Sequence, residues 1–119
     1  MKVILCSARH HHPEIEGLPS IFTNTISMDF AAMDETASKF VKDNMETVNA
    51  EGLDLYVTGM TPAACAVIRA CLRYDVELRL WHYDRDTDTY ICQPILERMI
   101  VEQGFNEYGV VVMTAPSIN

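Results

Sequence analysis

The sequence predicts an α/β fold in which helices flank a mainly parallel sheet. Short apolar runs typical of strands alternate along the chain with stretches whose apolar residues recur at helical spacing. The strand runs that precede helices contain few polar residues, as expected of parallel strands buried on both faces. The chain has 119 residues, 49% of them hydrophobic, which is enough for one core. We therefore expect residues 1–119 to form a single small Rossmann-like domain.

The first half of the chain predicts a strand, an extended segment and a long helix. Residues 3–6 form an uninterrupted apolar run, which favours a buried strand. Residues 21–28 alternate imperfectly and predict an extended segment. From Asp29, which can cap a helix, to Gly52, which can end one, the spacing predicts one amphipathic helix. Its apolar stripe consists of Met33, Ala37, Phe40, Val41, Met45 and Val48.

The middle of the chain predicts a strand, a helix and a further strand. Residues 53–59 read LDLYVTG and predict a second core strand. A helix is expected over residues 61–75, because Pro62 suits the first helical position and Thr61 can cap it. Residues 76–83 alternate between apolar and polar side chains, which predicts a strand with one wetter face.

The end of the chain predicts a hairpin and a third helix. The polar sequence DRDTD precedes the run TYICQP, so a β-hairpin is expected near residues 76–93. The third helix is predicted from Pro94 to Gly104, since proline often opens a helix and glycine often follows its end. A last strand over residues 108–113 and a short tail complete the chain.

Composition excludes several classes of function. The formal net charge of −8 disfavours binding to duplex nucleic acid, which usually requires a basic face. No stretch approaches the roughly 18 uninterrupted apolar residues of a membrane span, and the first residues lack the features of a secretion signal. We expect a cytoplasmic protein with no membrane partner. The cysteines form no C-x-x-C pair and are expected to be reduced and mostly buried: Cys6, Cys65, Cys71 and Cys92.

A candidate site follows from the predicted sheet. In open parallel sheets, ligands bind beyond the carboxyl ends of the strands, which selects the loops after the three predicted core strands. The second of these loops reads Thr-Gly-Met-Thr, in which glycine allows a tight turn and the helix start favours a phosphate or carboxylate. We predict a site for a small anionic ligand, with no cofactor and no metal. It consists of Ser7, Arg9, His10, His11, Thr58, Gly59, Thr61 and His82.

These features also have plainer interpretations. Thr61 can simply cap its own helix, and Gly59 can simply turn the chain. Trp81 and Tyr83 can stack on a base or pack along the sheet. The sequence contains no Walker A loop, no G-x-G-x-x-G fingerprint and no complete catalytic set, so binding alone and binding with cleavage both stay open.

The histidine run has three interpretations. His10, His11 and His12 follow Arg9 in a polar loop. The loop can be solvated, or it can contact a nucleotide, because a guanidinium grips phosphate in forked geometry and histidine transfers protons near neutral pH. Alternatively, the histidines can hold a metal ion with ligands from elsewhere in the chain, which would make the protein a metal enzyme.

A family resemblance rests on two loops. The first strand ends in a Ser/Arg/His loop, and the second core strand ends in VTGMT, at residues 57–61, before a helix. This arrangement resembles the CRISPR-associated Rossmann fold (CARF), and more narrowly the small stand-alone CARF-like proteins, several of which bind or degrade cyclic oligoadenylates. The resemblance implies that Ser7 and Arg9 belong to the first ligand loop, and that Thr58, Gly59 and Thr61 belong to the second. It also implies a homodimer with the ligand across its two-fold axis.

The function indicated is binding, with or without cleavage, of a small anionic nucleotide of the cyclic oligoadenylate type at the carboxyl edge of the sheet. The alternative is a non-enzymatic protein-interaction subunit of a larger assembly. The acidic composition and the absence of a complete catalytic set favour that alternative.

Overall fold

The computed structural model describes residues 1–7, 12–23, 27–97, 100–101 and 104–105. The larger sheet and the helices consist of β1 (Lys2–Cys6), a 3₁₀ helix (Pro13–Ile15), β2 (Ser20–Phe22), α1 (Phe30–Asp43), α2 (Met45–Glu51), β3 (Leu53–Tyr56), α3 (Thr61–Tyr74), β4 (Leu78–Asp84) and β5 (Thr89–Leu96). The five strands lie in the order β2-β1-β3-β4-β5. The neighbouring strands among β2, β1, β3 and β4 are parallel to each other, and β5 is antiparallel to β4. The predicted α/β class and mainly parallel sheet are confirmed.

The stretch from Asp29 to Gly52 forms two helices and not the one predicted. Asp29 caps α1 as expected, since its Oδ1 accepts a hydrogen bond from the Ala32 amide at 3.1 Å. Gly52 ends α2 with a φ of 76°. Asn44 separates the helices, because its Nδ2 donates to the Phe40 carbonyl at 2.8 Å and competes with the regular helical pattern. The buried part of the predicted stripe consists of Met33, Ala37, Val41 and Val48.

α3 begins at Thr61, and the prediction that this residue caps the helix is wrong. Met60 is the cap, with an extended backbone, and its carbonyl accepts from the amides of Ala63 and Ala64. The physical reason is the turn at Gly59, whose φ of 111° redirects the chain ahead of Met60 and makes that residue the last extended one. Small side chains allow α3 to pack closely on the sheet: Ala63, Ala64, Ala66 and Ala70 are all buried.

β5 continues to Leu96, so the helix predicted from Pro94 to Gly104 is wrong. β5 follows β4 after a turn at residues 85–88, and Pro94 lies opposite Arg79 in the edge strand of the sheet. Proline lacks an N–H donor, which is tolerated both in the first turn of a helix and on a sheet edge. The presence of Pro94 in the sequence is therefore compatible with both a helix start and an edge strand.

The described backbone beyond β5 forms a second, two-stranded antiparallel sheet of β6 (Ile100–Val101) and β7 (Gly104–Phe105). The last strand predicted over residues 108–113 lies outside the described residues. Among the helices that the structure describes, none combines the length and the hydropathy needed to cross a membrane.

The two faces of the larger sheet are covered differently. α1 and α3 pack against each other on one face, over a core that includes Leu5, Leu55 and Val67, all fully buried. On the opposite face, Ile15 and Leu18 from the 3₁₀ helix region pack against an aromatic cluster. Within the described residues, α1 and α3 therefore lie on one side of the sheet, and the 3₁₀ helix lies on the other.

The cysteines depart in part from the expected burial. All four are reduced cysteines; Cys6 and Cys71 are buried, and burial raises the pKa of Cys71 to about 12. Cys92 is half-buried, and Cys65 is exposed. The expectation of a buried side chain is wrong for Cys65 because this residue lies one helical turn after the exposed Thr61, on the solvent side of α3.

Candidate functional site

The chain leaves β1 and β3 toward opposite faces of the sheet. β1 continues through the 3₁₀ helix to its outer neighbour β2, whereas β3 continues through α3 to β4 on the other side. Adjacent parallel strands whose connections diverge in this way leave a crevice beyond their carboxyl ends. Four described candidate residues follow these two strands at this edge of the sheet: Ser7, Thr58, Gly59 and Thr61.

Thr58 joins the ends of β1 and β3. Its side chain is buried, with 6% of its surface exposed. The Thr58 Oγ1 donates to the Cys6 carbonyl and accepts from the Cys6 amide, both at 3.0 Å. These two bonds replace the strand pairing that ends at Ile4 and Tyr56. The two tips are therefore held side by side, and the Thr58 hydroxyl donates its only hydrogen to Cys6.

Ser7 ties the same tip to β2. The Ser7 amide donates to the Phe22 carbonyl at 3.0 Å, and its Oγ donates to the Thr23 carbonyl at 2.7 Å. The ends of three neighbouring strands, β2, β1 and β3, are thus connected by side chains of two candidate residues. Both hydroxyls donate within the protein, which gives Ser7 and Thr58 the geometry of positioning groups.

The turn between β3 and α3 presents the remaining described groups of that loop. Gly59 and Thr61 are both exposed. The amides of Ala63 and Ala64 donate to Met60, whereas within the described residues no acceptor receives the amides of Gly59 or Thr61. The start of a helix has a partial positive charge, so this turn favours an anion in front of it.

His82 lies on the next strand and bonds away from the turn. It follows Trp81, whose carbonyl accepts from the Val57 amide at 3.0 Å, so it stands beside the β3 tip. The His82 Nε2 lies 2.7 Å from the Gln93 Oε1 on β5. The structure therefore connects Ser7 and Thr58 through Cys6, but it gives His82 a partner on the other side of β4. Three further candidate residues lie outside the described residues: Arg9, His10 and His11.

The aromatic side chains of β4 pack on other rings of the protein. Trp81 stacks on Tyr56 with ring centroids 5.6 Å apart, and Tyr83 stacks on His12 at 3.7 Å. Tyr90 meets several of these rings edge-on. This cluster lies on the sheet face opposite α1 and α3, so the contacts of Trp81 and Tyr83 are those of the packing interpretation.

A charged group that the sequence reasoning missed lies beside this cluster. The Asp54 Oδ1 accepts from the Arg79 Nε at 2.7 Å and from the Trp81 Nε1 at 2.9 Å, and its Oδ2 accepts from the Arg79 Nη2 at 3.2 Å. Burial would raise the pKa of Asp54, but the hydrogen bonds from Arg79 and Trp81 outweigh it and lower the pKa. The signal in the sequence is a pair of opposite charges, which become cross-strand partners once the register of β3 and β4 is known.

Among the described residues, no group of three or more His, Cys, Asp or Glu side chains is placed to hold a metal ion. Two members of the histidine run, His10 and His11, lie outside these residues. Comparison with known proteins adds no relative: no family model, curated protein or solved structure matches the chain.

Proposed function

We propose that the chain is a small CARF-like protein that binds an anionic nucleotide of the cyclic oligoadenylate type at the carboxyl edge between β1 and β3. The observation that supports this proposal is the pair of hydrogen bonds between Thr58 and Cys6, which joins the ends of β1 and β3 at the switch point of the sheet. Ser7 and Thr58 position the loops, and the β3–α3 turn receives a phosphate.

Local electrostatics support an anion despite the acidic composition. The formal net charge is −8. A bound anion nevertheless responds mainly to the potential of nearby groups, and screening by salt limits the effect of distant carboxylates. The helix start at Thr61 supplies a partial positive charge, and Arg9 supplies a full charge from the loop after β1.

The proposed protein is a homodimer in which two copies of this edge face each other across the ligand. A cyclic oligonucleotide presents phosphates in symmetric positions, so two identical helix starts match it better than one. Sedimentation velocity with and without the nucleotide measures this part of the proposal.

The direct test is binding of fluorescently labelled cyclic tetra- and hexa-adenylate, measured by anisotropy. We expect saturable binding by the unaltered protein and weaker binding by Arg9→Gln and Thr61→Val. The valine has nearly the shape of threonine but lacks the hydroxyl. Chromatography of the nucleotide after incubation separates binding alone from cleavage to a linear product.

The matched control is Arg85→Gln, which removes the same charge from the exposed turn between β4 and β5. Because this variant has the same net charge as Arg9→Gln, unchanged binding would assign the effect of Arg9 to its position. Binding that Arg9→Gln and Arg85→Gln weaken equally would argue against a site at the edge. The absence of any anisotropy or melting response to the nucleotides would favour a protein-interaction subunit.

A further inference from the structure

A groove separates the first turns of α1 and α3 on the outer side of the helical layer. Its volume is about 700 Å³. Met33 and Ala66 form its buried floor, and Phe30, with 64% of its surface exposed, lines it from the start of α1. Most of the lining is apolar, and Met28, just before α1, leaves a further large apolar side chain exposed. The groove therefore offers apolar surface that the described part of the chain leaves uncovered.

The dimensions favour a small molecule over a protein segment. Ligand sites for small molecules have volumes of roughly 300–1,000 Å³ and mostly apolar walls, and this groove falls within that range. Along α3 the lining extends from Thr61 to Arg69, or about 12 Å at 1.5 Å of rise per residue. A stable protein interface buries roughly 1,200–2,000 Å² in total, far more than two helical turns provide. An acyl chain of about eight carbons matches the length.

One end of the groove has a charged cluster, in which Asp34 and Arg69 line the groove and Arg73 lies outside it. The Arg69 Nε donates to the Asp34 Oδ1 at 3.2 Å, and the Arg73 Nη2 donates to the Asp34 Oδ2 at 3.3 Å. Two guanidinium groups therefore face one carboxylate. The hydrogen bond from Arg69 lowers the pKa of Asp34, so this carboxylate stays ionised and keeps Arg69 in place.

Arg69 has donors to spare for a ligand. Only its Nε is engaged among the described residues, which leaves the two terminal nitrogens of an exposed guanidinium available. Arg73 also donates to the Ser38 hydroxyl and does not line the groove. The two arginines are thus distinguished by position: one closes the groove, and the other supports Asp34 from outside it.

We propose that the groove between α1 and α3 binds a small amphipathic carboxylate, with its apolar chain along Met33, Ala66 and Phe30 and its carboxylate on Arg69. The groove adjoins the carboxyl edge proposed for the nucleotide, since Thr61 belongs to both, but its ligand is held by Arg69, about 12 Å further along α3. Its recognition chemistry is an apolar body of about eight carbons joined to one negative charge, as in a medium-chain fatty acid.

Cys65 gives a readout specific to the groove. It is exposed and lines the groove, whereas Cys92 lies half-buried on β5. We expect octanoate to slow the alkylation of Cys65 by iodoacetamide in a saturable manner while the rate at Cys92 stays unchanged, both followed by peptide mass spectrometry. 1-Octanol and octylamine, which share the chain but lack the negative charge, should protect Cys65 only at concentrations about tenfold higher or more.

Three variants assign the contacts. Arg69→Gln should raise the apparent Kd for octanoate about tenfold and abolish its advantage over 1-octanol. Phe30→Ala should weaken octanoate and 1-octanol alike, because it removes apolar surface only. Arg73→Gln is the matched control: it removes an arginine from the same carboxylate but from outside the groove, and it should bind octanoate as the unaltered protein does.

Several outcomes would overturn the proposal. Alkylation of Cys65 that octanoate does not slow would exclude the ligand from the groove. If Arg69→Gln and Arg73→Gln raised the apparent Kd for octanoate equally, the arginines would act by pairing with Asp34 and not by binding the carboxylate of the ligand. Protection of Cys65 that rises with protein concentration alone, without octanoate, would assign the groove to a second copy of the chain.

Discussion

The hydroxyl of Thr58 holds the ends of β1 and β3 together. It pairs with both the amide and the carbonyl of Cys6, in a buried position where water cannot replace it. We expect Thr58→Val to lower the free energy of unfolding by about 1–3 kcal/mol, because two buried backbone groups lose their partner. Urea denaturation monitored by circular dichroism measures the change.

Thr58→Ser is the matched control, since it keeps the hydroxyl and removes one methyl group. It should be more stable than Thr58→Val. A valine variant as stable as the unaltered protein would show that the hydroxyl is not what joins the two strands.

Asp54 makes the free energy of unfolding depend on pH in the acid range. Although burial opposes ionisation, hydrogen bonds from Arg79 and Trp81 lower the pKa of Asp54 below its ordinary 3.8. Because the folded pKa is the lower one, the stabilisation is present above pH 3.8 and is lost as the pH falls through the folded pKa. The free energy of unfolding should therefore decline below pH 3.8, as measured by urea titrations at successive pH values.

Asp54→Asn should flatten this acid decline, since the amide has no charge to lose. Asp34→Asn provides the comparison: its ion pairs lie at the surface, where solvent screens them, so it should flatten the decline less. A wild-type curve with no decline below pH 3.8 would contradict the argument.

At the scale of elements, the sequence predicted those structures whose signals are local. The buried run of β1, the Asp29 cap of α1 and the glycine that ends α2 each depend on residues close together in the chain. The break at Asn44 is harder to foresee, because asparagine is compatible with a helix and also competes for its carbonyls.

The strand around Pro94 shows where local signals fail. A proline before an apolar run suits a helix start, yet the same missing donor suits an edge strand. The outcome depends on β4, which offers β5 a partner with matching register. That information belongs to the pairing of two segments, and helical spacing within one of them does not contain it.

The position of the candidate edge could be predicted from the sequence, but the hydrogen bonds within it could not. The carboxyl ends of parallel strands meet by geometry, so the loops after β1 and β3 could be placed together from the order of elements. The hydroxyls of Ser7 and Thr58 donate to neighbouring strands because of where each strand ends relative to the next. The sequence does not contain that register. The groove between α1 and α3 also escaped prediction, since it depends on how two helices pack.

At the scale of the whole molecule, charge repulsion opposes the compact state. The chain has seventeen acidic and nine basic residues, and its formal net charge is −8. Raising NaCl from about 0.01 M to about 0.15 M shortens the screening length from about 30 Å to about 8 Å. We expect the melting temperature to rise over this range, as followed by circular dichroism.

Potassium chloride should give the same rise as sodium chloride, since the effect is general screening. A melting temperature that falls with either salt would mean that the attractive pairs, such as Arg79 with Asp54, outweigh the repulsion.

The bond between Thr58 and Cys6 spans 52 residues, and this has a consequence for biosynthesis. The ribosome releases the first strand long before the threonine that completes its end. Until then the Cys6 amide and carbonyl lack the hydroxyl that joins them to the end of β3. The edge that carries the proposed site is therefore completed only when Thr58 has been added, after 58 of the 119 residues have been made.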